Sequence, residues 1–405
     1  MISNSMFKNT FLFLVCLLAF GVNLKTYAKT ATLKQKNEQT IKVGAERISE
    51  YASLLKNKNV GVLTNQTGVV NNAQGTYTST VDFLLENKVN VKKIYAPEHG
   101  FRGTADAGEL VKDGKDTKTG LPIISLYGNN KKPSVDQLKG IDVMVFDLQD
   151  VGARFYTYIS SLHYLMEACA EQNIPVIVLD RPNPNISIID GPTLEMKNKS
   201  FVGMHPIPAM HGMTIGEYAK MINGEKWLAN GVQCDLTVIP CENYTREMSY
   251  SLPVSPSPNL PNDQSINLYA SLCFFEGTNV SSGRGTDLQF QIYGSPFLTN
   301  MPYQFTPQSN AGAKDPMNKG KLCYGENLSK EKKLTKIELK WLLKAYKNST
   351  NKDKFFINFF VKLAGTDSLK AQIIAGKSED EIRKTWQGGL DKFKQTRKPY
   401  LLYTN

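Results

Sequence analysis

Several familiar catalytic and binding motifs are missing from this 405-residue sequence. It contains neither GxGxxG nor GxxxxGKS/T, which argues against the usual glycine-rich nucleotide-binding loops. There is no HExxH motif of a zinc protease, and the absence of GxSxG weakens an esterase interpretation. No CxxC pair occurs, so a cysteine zinc site is not expected. No internal repeat is visible.

Cysteine is scarce, with six residues in the chain. Cys16 lies in the N-terminal apolar run, which leaves an odd number for pairing. Cys234 and Cys241 flank a predicted strand whose ends would lie roughly 20 Å apart, far beyond disulfide reach. We therefore expect most of the cysteines to be buried thiols.

Histidine is scarcer still, with four residues. His163 lies within a helix pattern, which indicates a structural role. A zinc site that uses His99, His205 and His211 with a carboxylate is an alternative, although their spacing does not require one. We expect no metal and no cofactor.

Long hydrophobic runs are absent after the N-terminus. The apolar run at 11–22 follows the basic residue Lys8, and it is too short to span a bilayer comfortably. Small-residue spacing at 26–28 then predicts cleavage after Ala28. Residues 1–28 are thus interpreted as a signal peptide, which implies an exported protein, either periplasmic or secreted. Val15 does not suit a lipoprotein signal at Cys16, so no stable membrane anchor is expected.

The formal net charge is +11, and removal of the two lysines in 1–28 leaves +9 for the mature chain. The excess of lysine is consistent both with a solvated surface and with attraction to a polyanion such as cell wall. Basic and aromatic residues do not interleave as in nucleic-acid-binding proteins, so no nucleic-acid partner is expected. The composition does not determine the oligomeric state.

Short apolar runs alternate with helical patterns after a polar lead-in at 29–45. The predicted strands lie at 60–63, 91–95, 123–126, 143–146 and 176–179, and the predicted helices at 80–87, 161–172 and 214–227. Thr214 and Glu217 form a capping-box signature for the last helix. This alternation predicts an α/β domain with a mostly parallel sheet covered by helices on both faces.

Residues 251–263 contain four prolines and predict a linker or an extended crossing segment. Helical patterns at 335–346, 368–375 and 378–387 follow it. We therefore predict a catalytic α/β domain at 46–252 and a smaller α+β domain at 253–405 that completes the cleft.

Polar side chains follow four of the five predicted strands. They are Asn65, Gln66 and Thr67 after the first strand, Glu98, His99 and Arg102 after the second, Asp147, Gln149, Asp150, Arg154 and Tyr156 after the fourth, and Asp180, Arg181, Asn183 and Asn185 after the fifth. Ligands bind at the carboxyl ends of the strands in open parallel sheets, so these loops predict one polar pocket. Paired carboxylates are the usual equipment for glycoside hydrolysis, and arginine suits an anionic sugar.

Six motifs occur in order: APEHGFRG at 96–103, DTKTGLPIISLYG at 116–128, FDLQDVGARFYTYIS at 146–160, LDRPNPN at 179–185, MHPIPAMHGMTIGEYA at 204–219 and EGTNVSSGRGTD at 276–287. Together they resemble the NamZ-like exo-β-N-acetylmuramidase family, long classed as a domain of unknown function. The resemblance runs from about residue 59 to 300. It implies release of N-acetylmuramic acid from non-reducing ends of peptidoglycan fragments, by a Rossmann-like domain with a cleft and a smaller C-terminal domain.

Glu98 is the first candidate for a catalytic carboxylate, because it lies at a strand end on a turn that presents its side chain. Asp147 or Asp150 is the candidate for the second. The alternative for each is to pair with Arg154 or to cap the helix that follows, and we expect this alternative for one of the two. The acetamido oxygen of an N-acetyl sugar is an alternative to a second enzymic carboxylate.

Further residues are candidates for binding the substrate. Arginines are expected to hold the lactyl carboxylate, although at least half of them are expected to be salt-bridged scaffolding; aromatic residues stack on a sugar or belong to the core. The candidates are Asn65, His99, Arg102, Arg154, Tyr156, Arg181, Asn183, Asn185, His211, Glu276 and Arg284, with Phe101 as a second possible stacking residue. Two other functions are kept: a metal-dependent amidase or deacetylase on cell-wall glycan, and a non-catalytic muropeptide-binding protein.

Overall fold

A computed structural model describes residues 40–72, 75–98, 100–101 and 113–404 of the chain. Residues from Lys42 onward form one compact unit. The predicted signal peptide lies outside the described residues, as do His99 and Arg102. No helix in the described part of the chain is long and apolar enough to cross a membrane.

The protein is built around a seven-stranded sheet with the order β11-β8-β7-β1-β4-β6-β5. The strands of the chain are β1 Val60–Thr64, β2 Val69–Asn71, β3 Tyr77–Ser79, β4 Val91–Ala96, β5 Gly114–Lys115, β6 Pro122–Ser125, β7 Val143–Asp147, β8 Val176–Leu179, β9 Ile189–Asp190, β10 Met210–His211, β11 Leu236–Ile239, β12 Ile292–Ser295, β13 Tyr303–Phe305 and β14 Cys323–Asn327. Six strands of the sheet are parallel, and the edge strand β5 runs antiparallel to β6. Counted along the chain, the parallel strands lie in the Rossmann order 3-2-1-4-5-6.

The central strands form because their residues are apolar on both faces. Every residue of β1, β7 and β8 is buried, as expected of a parallel sheet covered by helices on both sides. Side chains alternate between two apolar clusters: Val62 and Val145 belong to one, whereas Leu63 and Phe146 belong to the other.

Helices pack on both faces of the sheet. The helices Ile48–Leu55 and Thr80–Glu86 contribute to one cluster, and Tyr158–Glu171 and Ile215–Gly224 contribute to the other. The remaining α-helices are Val135–Leu138, Asp263–Leu272, Lys340–Asn348, Phe360–Ala364, Ser368–Ile374, Glu379–Lys384 and Gln387–Arg397. The predicted α/β class is therefore confirmed, as is the capping box in which Thr214 and Glu217 bond to each other.

The C-terminal part adds a small antiparallel sheet of order β12-β14-β13 together with several helices. Its aromatic residues Phe274, Trp341 and Phe360 lie in the same apolar cluster as the helix Tyr158–Glu171. The core on that face of the sheet is therefore continuous with the core of the C-terminal part. The five cysteines of the described chain are all buried free thiols, as expected from their spacing.

Several helices of the structure differ from the sequence-based predictions. The helix predicted at 335–346 spans Lys340–Asn348, and the pattern at 378–387 contains a break between Glu379–Lys384 and Gln387–Arg397. The helix Asp263–Leu272 was not predicted, because the prolines before it obscure its start. Asn262 begins that helix by accepting a hydrogen bond from the backbone N–H of Ser265.

Candidate active site

A cleft of about 410 Å³ lies at the carboxyl edge of the sheet. The loops that follow the strands contribute Glu98 after β4, Tyr127 after β6 and Thr157 after β7 to its lining. The C-terminal part lines it with Glu276 and Arg284. The position agrees with the rule that open parallel sheets bind ligands beyond the carboxyl ends of their strands.

Glu98 is held in the cleft by hydroxyl groups from two other loops. Tyr127 Oη donates a hydrogen bond to Glu98 Oε1 at 2.9 Å, and Thr157 Oγ1 donates to Oε2 at 3.0 Å. The side chain is half-buried. Its carboxyl group is therefore oriented by contacts to both oxygens while the residue still lines the cleft.

Glu276 and Arg284 form an ion pair in the wall contributed by the C-terminal part. Arg284 Nε donates to Glu276 Oε1, and the guanidinium carbon lies 5.1 Å from the centroid of the Phe290 ring. About a quarter of each charged side chain remains exposed, 24% for Glu276 and 25% for Arg284. The pair therefore presents a positioned cation and a carboxylate to a ligand in the cleft.

Tyr156 lines the cleft but is almost fully buried. Its hydroxyl donates to the carbonyl oxygen of Pro256 at 2.7 Å, and its ring meets Tyr269 edge-on. Burial raises the pKa of Tyr156 well above its ordinary value, so the phenol stays protonated. Phe101, the other aromatic candidate, packs in the apolar cluster on one face of the sheet.

Asp147 forms a buried ion pair with Arg181, and not with Arg154, which was one alternative considered for Asp147 or Asp150. Arg181 Nε donates to Oδ1 at 2.6 Å and Nη2 donates to Oδ2 at 2.8 Å, while Thr80 Oγ1 also donates to Oδ2. Both charged side chains are fully buried. This geometry satisfies both carboxylate oxygens and places neither residue in the lining of the cleft.

Three of the strand-end loops are closed by an Asn or Asp side chain that accepts a hydrogen bond from the backbone N–H two residues later. The contacts are Asn65 with Thr67 at 2.9 Å, Asp150 with Gly152 at 2.7 Å and Asn183 with Asn185 at 2.8 Å. Such local turns are a usual role for these residue types. All three side chains are buried and none lines the cleft.

His211 and Asn185 are buried beneath the same loops. His211 Nε2 lies 3.3 Å from Asp150 Oδ2, and its Nδ1 accepts from the backbone N–H of Met213 at 3.2 Å. Asn185 Nδ2 donates to the carbonyl oxygen of Val151 at 3.0 Å. These contacts hold loops together, and neither residue lines the cleft.

Arg154 is completely buried and binds backbone carbonyl groups. Its two terminal nitrogens donate to the carbonyl oxygens of Pro192, Ile207, Leu363 and Ala364 at 2.8–2.9 Å. Burial without a carboxylate partner lowers the pKa of Arg154 to about 10. The residue thereby connects the loops of the sheet domain to the C-terminal part.

Of the alternative zinc ligands, His205 and His211 lie in the described chain, and they have different polar partners. His205 Nε2 lies 3.0 Å from His163 Nδ1, and His205 Nδ1 lies 2.8 Å from the hydroxyl of Tyr218, whereas His211 lies beside Asp150. Nowhere in the described ranges do three or more His, Cys, Asp or Glu residues form a group suited to a metal ion.

Sequence reasoning missed several polar residues that line the cleft: Tyr127, Thr157, Ser257, Asn259, Tyr269 and Asp315. Tyr127 follows the strand β6, so the strand-end rule alone could have identified it. Thr157 lies just beyond the residues considered after β7. Asn259 lies in the proline-rich segment, which carried no signal of a binding site.

The fold and the cleft define an α/β enzyme with a carboxylate-containing site of the kind used on polar, sugar-like substrates. The sequence matches the family model for the N-terminal part of exo-β-N-acetylmuramidase NamZ over residues 60–264, and the model for its C-terminal part over residues 267–403. The chain belongs to this family and is accordingly a glycosidase.

Individual relatives agree with this assignment. The peptidoglycan β-N-acetylmuramidase NamZ of Bacillus subtilis strain 168 is 38% identical, over 98% of this chain and 100% of its own length. The crystal structure of a DUF1343 family protein from Bacteroides fragilis NCTC 9343 has a TM-score of 0.83 and 49% identity, over 91% of this chain and 100% of that one. A second DUF1343 protein from the same strain gives a TM-score of 0.75 and 30% identity, over 90% and 99%.

Proposed function

We propose that this glycosidase releases N-acetylmuramic acid, one residue at a time, from the non-reducing ends of peptidoglycan fragments, with Glu98 as the proton donor. The observation that carries the assignment of Glu98 is its position: of the three carboxylates predicted to be catalytic, it alone lines the cleft. Asp147 forms an ion pair with Arg181, and Asp150 accepts a hydrogen bond from the backbone of its own loop.

Glu98 is suited to proton transfer because its carboxyl group is oriented but remains accessible from the cleft. A glycosidic oxygen is a poor leaving group unless it is protonated as the bond breaks. The hydroxyls of Tyr127 and Thr157 hold the carboxyl group in place. After donating its proton, the Glu98 carboxylate takes a proton from the water that completes hydrolysis.

The acetamido oxygen of the substrate supplies the attacking group in this proposal. It bonds to the anomeric carbon as the glycosidic bond breaks, and the departing oxygen receives the proton of Glu98. Water then opens the resulting ring, and one of its protons returns to Glu98. This route is one that some glycosidases use on N-acetyl sugars, and the burial of Asp147 and Asp150 outside the lining of the cleft supports it here.

Arg284 is the best placed of the predicted arginines to bind the lactyl carboxylate. Arg154 and Arg181 are fully buried and bound to other groups, and Arg102 lies outside the described residues. Arg284 lines the cleft with a quarter of its side chain exposed. A cation there distinguishes N-acetylmuramic acid from N-acetylglucosamine, which has no lactyl group.

The function is tested by incubating the purified protein with the disaccharide MurNAc-GlcNAc and following free MurNAc by mass spectrometry. We expect MurNAc release that persists in EDTA, and slow monosaccharide release from polymer with little early loss of chain length. Release of acetate or peptide that EDTA abolishes would indicate the deacetylase or amidase instead. Binding of muropeptides without turnover would indicate a non-catalytic protein.

Export is a further part of the proposal. The apolar run at 11–22 and the small residues at 26–28 support a cleaved signal peptide and a periplasmic or secreted protein. Mass spectrometry of the exported protein should find Lys29 at its N-terminus. A retained leader or a lipid-modified Cys16 would contradict this.

A further inference from the structure

Most aromatic residues that line the cleft are covered by other parts of the protein. Four of them are buried: Phe155, Tyr156, Tyr269 and Phe290. The other three rings of this group meet Tyr269 edge-on, with ring centroids 4.9–5.9 Å apart. Phe201 is half-buried, its ring stacks on Tyr164 at 6.2 Å, and Lys131 Nζ lies 5.1 Å from its centroid. These five rings therefore have protein partners.

Phe359 differs from them in exposure and in its contacts. It is 40% exposed and is the most exposed apolar side chain in the lining of the cleft. No aromatic ring or cationic group in the described chain packs on its ring. The apolar surface of the Phe359 ring is therefore open to a ligand in the cleft, and binding of that ligand would remove the surface from water.

The backbone around Phe359 is held in place although its side chain is exposed. Phe359 directly precedes the helix Phe360–Ala364, and the first residue of that helix is fully buried. Two residues before Phe359, the backbone N–H of Ile357 donates to the carbonyl oxygen of Gly277 at 2.9 Å. Gly277 follows Glu276, which lines the cleft. Phe359 thus has a fixed position in the wall that the C-terminal part contributes.

The exposed fractions of the lining residues indicate which of them lie towards solvent. About a quarter of the Glu276 and Arg284 side chains is exposed, against 40% of Phe359. An enzyme that removes the terminal sugar of a chain encloses that sugar, and the rest of the chain extends towards solvent. The sugar that leaves should therefore lie against the more exposed part of the lining, where Phe359 is found.

We propose that the ring of Phe359 stacks on the N-acetylglucosamine residue that leaves when N-acetylmuramic acid is released, an inference that rests on the proposed function. The C–H groups of a sugar ring form an apolar face, and a flat aromatic ring offers a matching surface. Arg284 then contacts the lactyl group of the sugar at the cleaved position, whereas Phe359 contacts the next sugar. The contact makes Phe359 a specificity-determining residue for the leaving group.

The test compares two substrates that share N-acetylmuramic acid and differ in the leaving group. MurNAc-GlcNAc has a second sugar ring, whereas the methyl β-glycoside of MurNAc has none; the leaving oxygen needs a proton in both. Phe359→Ala should lower kcat/KM on the disaccharide about threefold to tenfold, the usual worth of an aromatic contact, and change kcat/KM on the methyl glycoside less than about twofold.

Inhibition by free N-acetylmuramic acid gives a second readout, because this sugar occupies the cleaved position alone. Its inhibition constant should be the same for Phe359→Ala and for wild type. If the wild-type protein hydrolyses the disaccharide but not the methyl glycoside, this inhibition constant takes the place of the methyl glycoside in the comparison.

Further variants separate stacking from other effects. Phe359→Tyr keeps the flat ring and should keep the wild-type values. Ile357→Ala is the matched control, because Ile357 lies in the same segment, is 44% exposed and does not line the cleft; it should also keep the wild-type values. If Phe359→Ala does not fold, as judged by thermal denaturation, Phe359→Leu decides, because it removes the flat ring and keeps an apolar side chain.

The outcomes distinguish the contact from the function itself. Full disaccharide activity in folded Phe359→Ala, equal losses on both substrates, or the same selective loss in Ile357→Ala would overturn the contact and leave the proposed function intact. A wild-type protein that hydrolyses neither substrate would overturn the proposed function and the inference with it.

Discussion

The loops after β1, β7 and β8 use their polar side chains differently from the loop after β4. Asn65, Asp150 and Asn183 each bond to a backbone N–H two residues later, within their own loops. Glu98 instead accepts from the hydroxyls of Tyr127 and Thr157, which are 29 and 59 residues away. Asn65 and Asn183 also donate to the Tyr158 hydroxyl and to the Met213 carbonyl oxygen, so the difference lies in exposure: the first three side chains are buried, whereas Glu98 is half-buried and lines the cleft.

This difference shows that a polar residue at a strand end has two possible uses. Short polar side chains close the turns that a parallel sheet needs at its carboxyl edge. The side chains available for chemistry are those positioned by distant partners and still in contact with the cleft. Glu98, Glu276 and Arg284 line the cleft, whereas Asp147 is buried in its ion pair with Arg181.

The largest expected effect comes from Glu98→Gln, which preserves the shape of the side chain and removes its transferable proton. Turnover of MurNAc-GlcNAc should fall roughly 10²–10⁴-fold, the usual worth of a positioned acid or base. The matched variant is Asp150→Asn, because asparagine also closes such a turn; we expect it to stay within about tenfold of wild type. Steady-state kinetics on both variants test this difference. A turnover of Asp150→Asn below the expected range would contradict the contrast between Glu98 and Asp150.

A large effect on stability is expected from Asp147→Asn. The substitution leaves the Arg181 guanidinium buried without its counter-charge, and breaking a buried pair typically costs about 3–5 kcal/mol. Urea denaturation should show this loss, while the remaining folded protein keeps its turnover. Unchanged stability combined with abolished turnover would indicate that Asp147 is a catalytic residue.

A smaller effect is expected from Arg284→Ala, which removes the exposed cation of the cleft. Loss of a charge-assisted contact to the lactyl carboxylate should weaken binding of N-acetylmuramic acid by about 1.5–3 kcal/mol. Binding of N-acetylglucosamine should change little. If the variant keeps the full preference for N-acetylmuramic acid, the lactyl group is bound elsewhere, and Arg102 becomes the next candidate.

The smallest effect is on the pH dependence of stability and concerns His163, which is buried beside His205. Burial lowers the pKa of His163 from 6.5 to about 4, against an opposing effect of Glu167. The unfolded chain therefore binds more protons between these values, so stability should fall as pH drops from 6.5 towards 4. His163→Gln should flatten this part of the profile of melting temperature against pH. An unchanged slope would assign the acid sensitivity to other groups.

Much of the sheet could be predicted from sequence because its strands are short apolar runs bounded by turn residues. The predicted runs at 60–63, 91–95, 143–146 and 176–179 differ from β1, β4, β7 and β8 by no more than one residue at either end. The helix Asp263–Leu272 was missed because four prolines precede it within a few turns. The helix begins directly after these prolines because Asn262 caps its first turn.

The site was less predictable because pairing between distant residues leaves no local pattern. Nothing near Asp147 indicates that Arg181 would neutralise it, 34 residues later. Asn259 gave no signal, because the partner that its side chain binds, the carbonyl oxygen of Gly312, lies 53 residues away. Of the four strand-end loops predicted to form one pocket, those after β4 and β7 line the cleft and those after β1 and β8 do not, because most of the polar side chains of the latter two are buried.

The most direct measurement compares Glu98→Gln with wild type on two substrates: MurNAc-GlcNAc and the 4-nitrophenyl β-glycoside of N-acetylmuramic acid. Nitrophenolate leaves without protonation, so it needs no acid. If Glu98 is the proton donor, the variant should lose roughly 10²–10⁴-fold in kcat/KM on the disaccharide. Its loss in kcat/KM on the nitrophenyl glycoside should be smaller by a factor of about ten or more. Equal losses on both substrates, or near-normal disaccharide turnover by the folded variant, would contradict the assignment of Glu98.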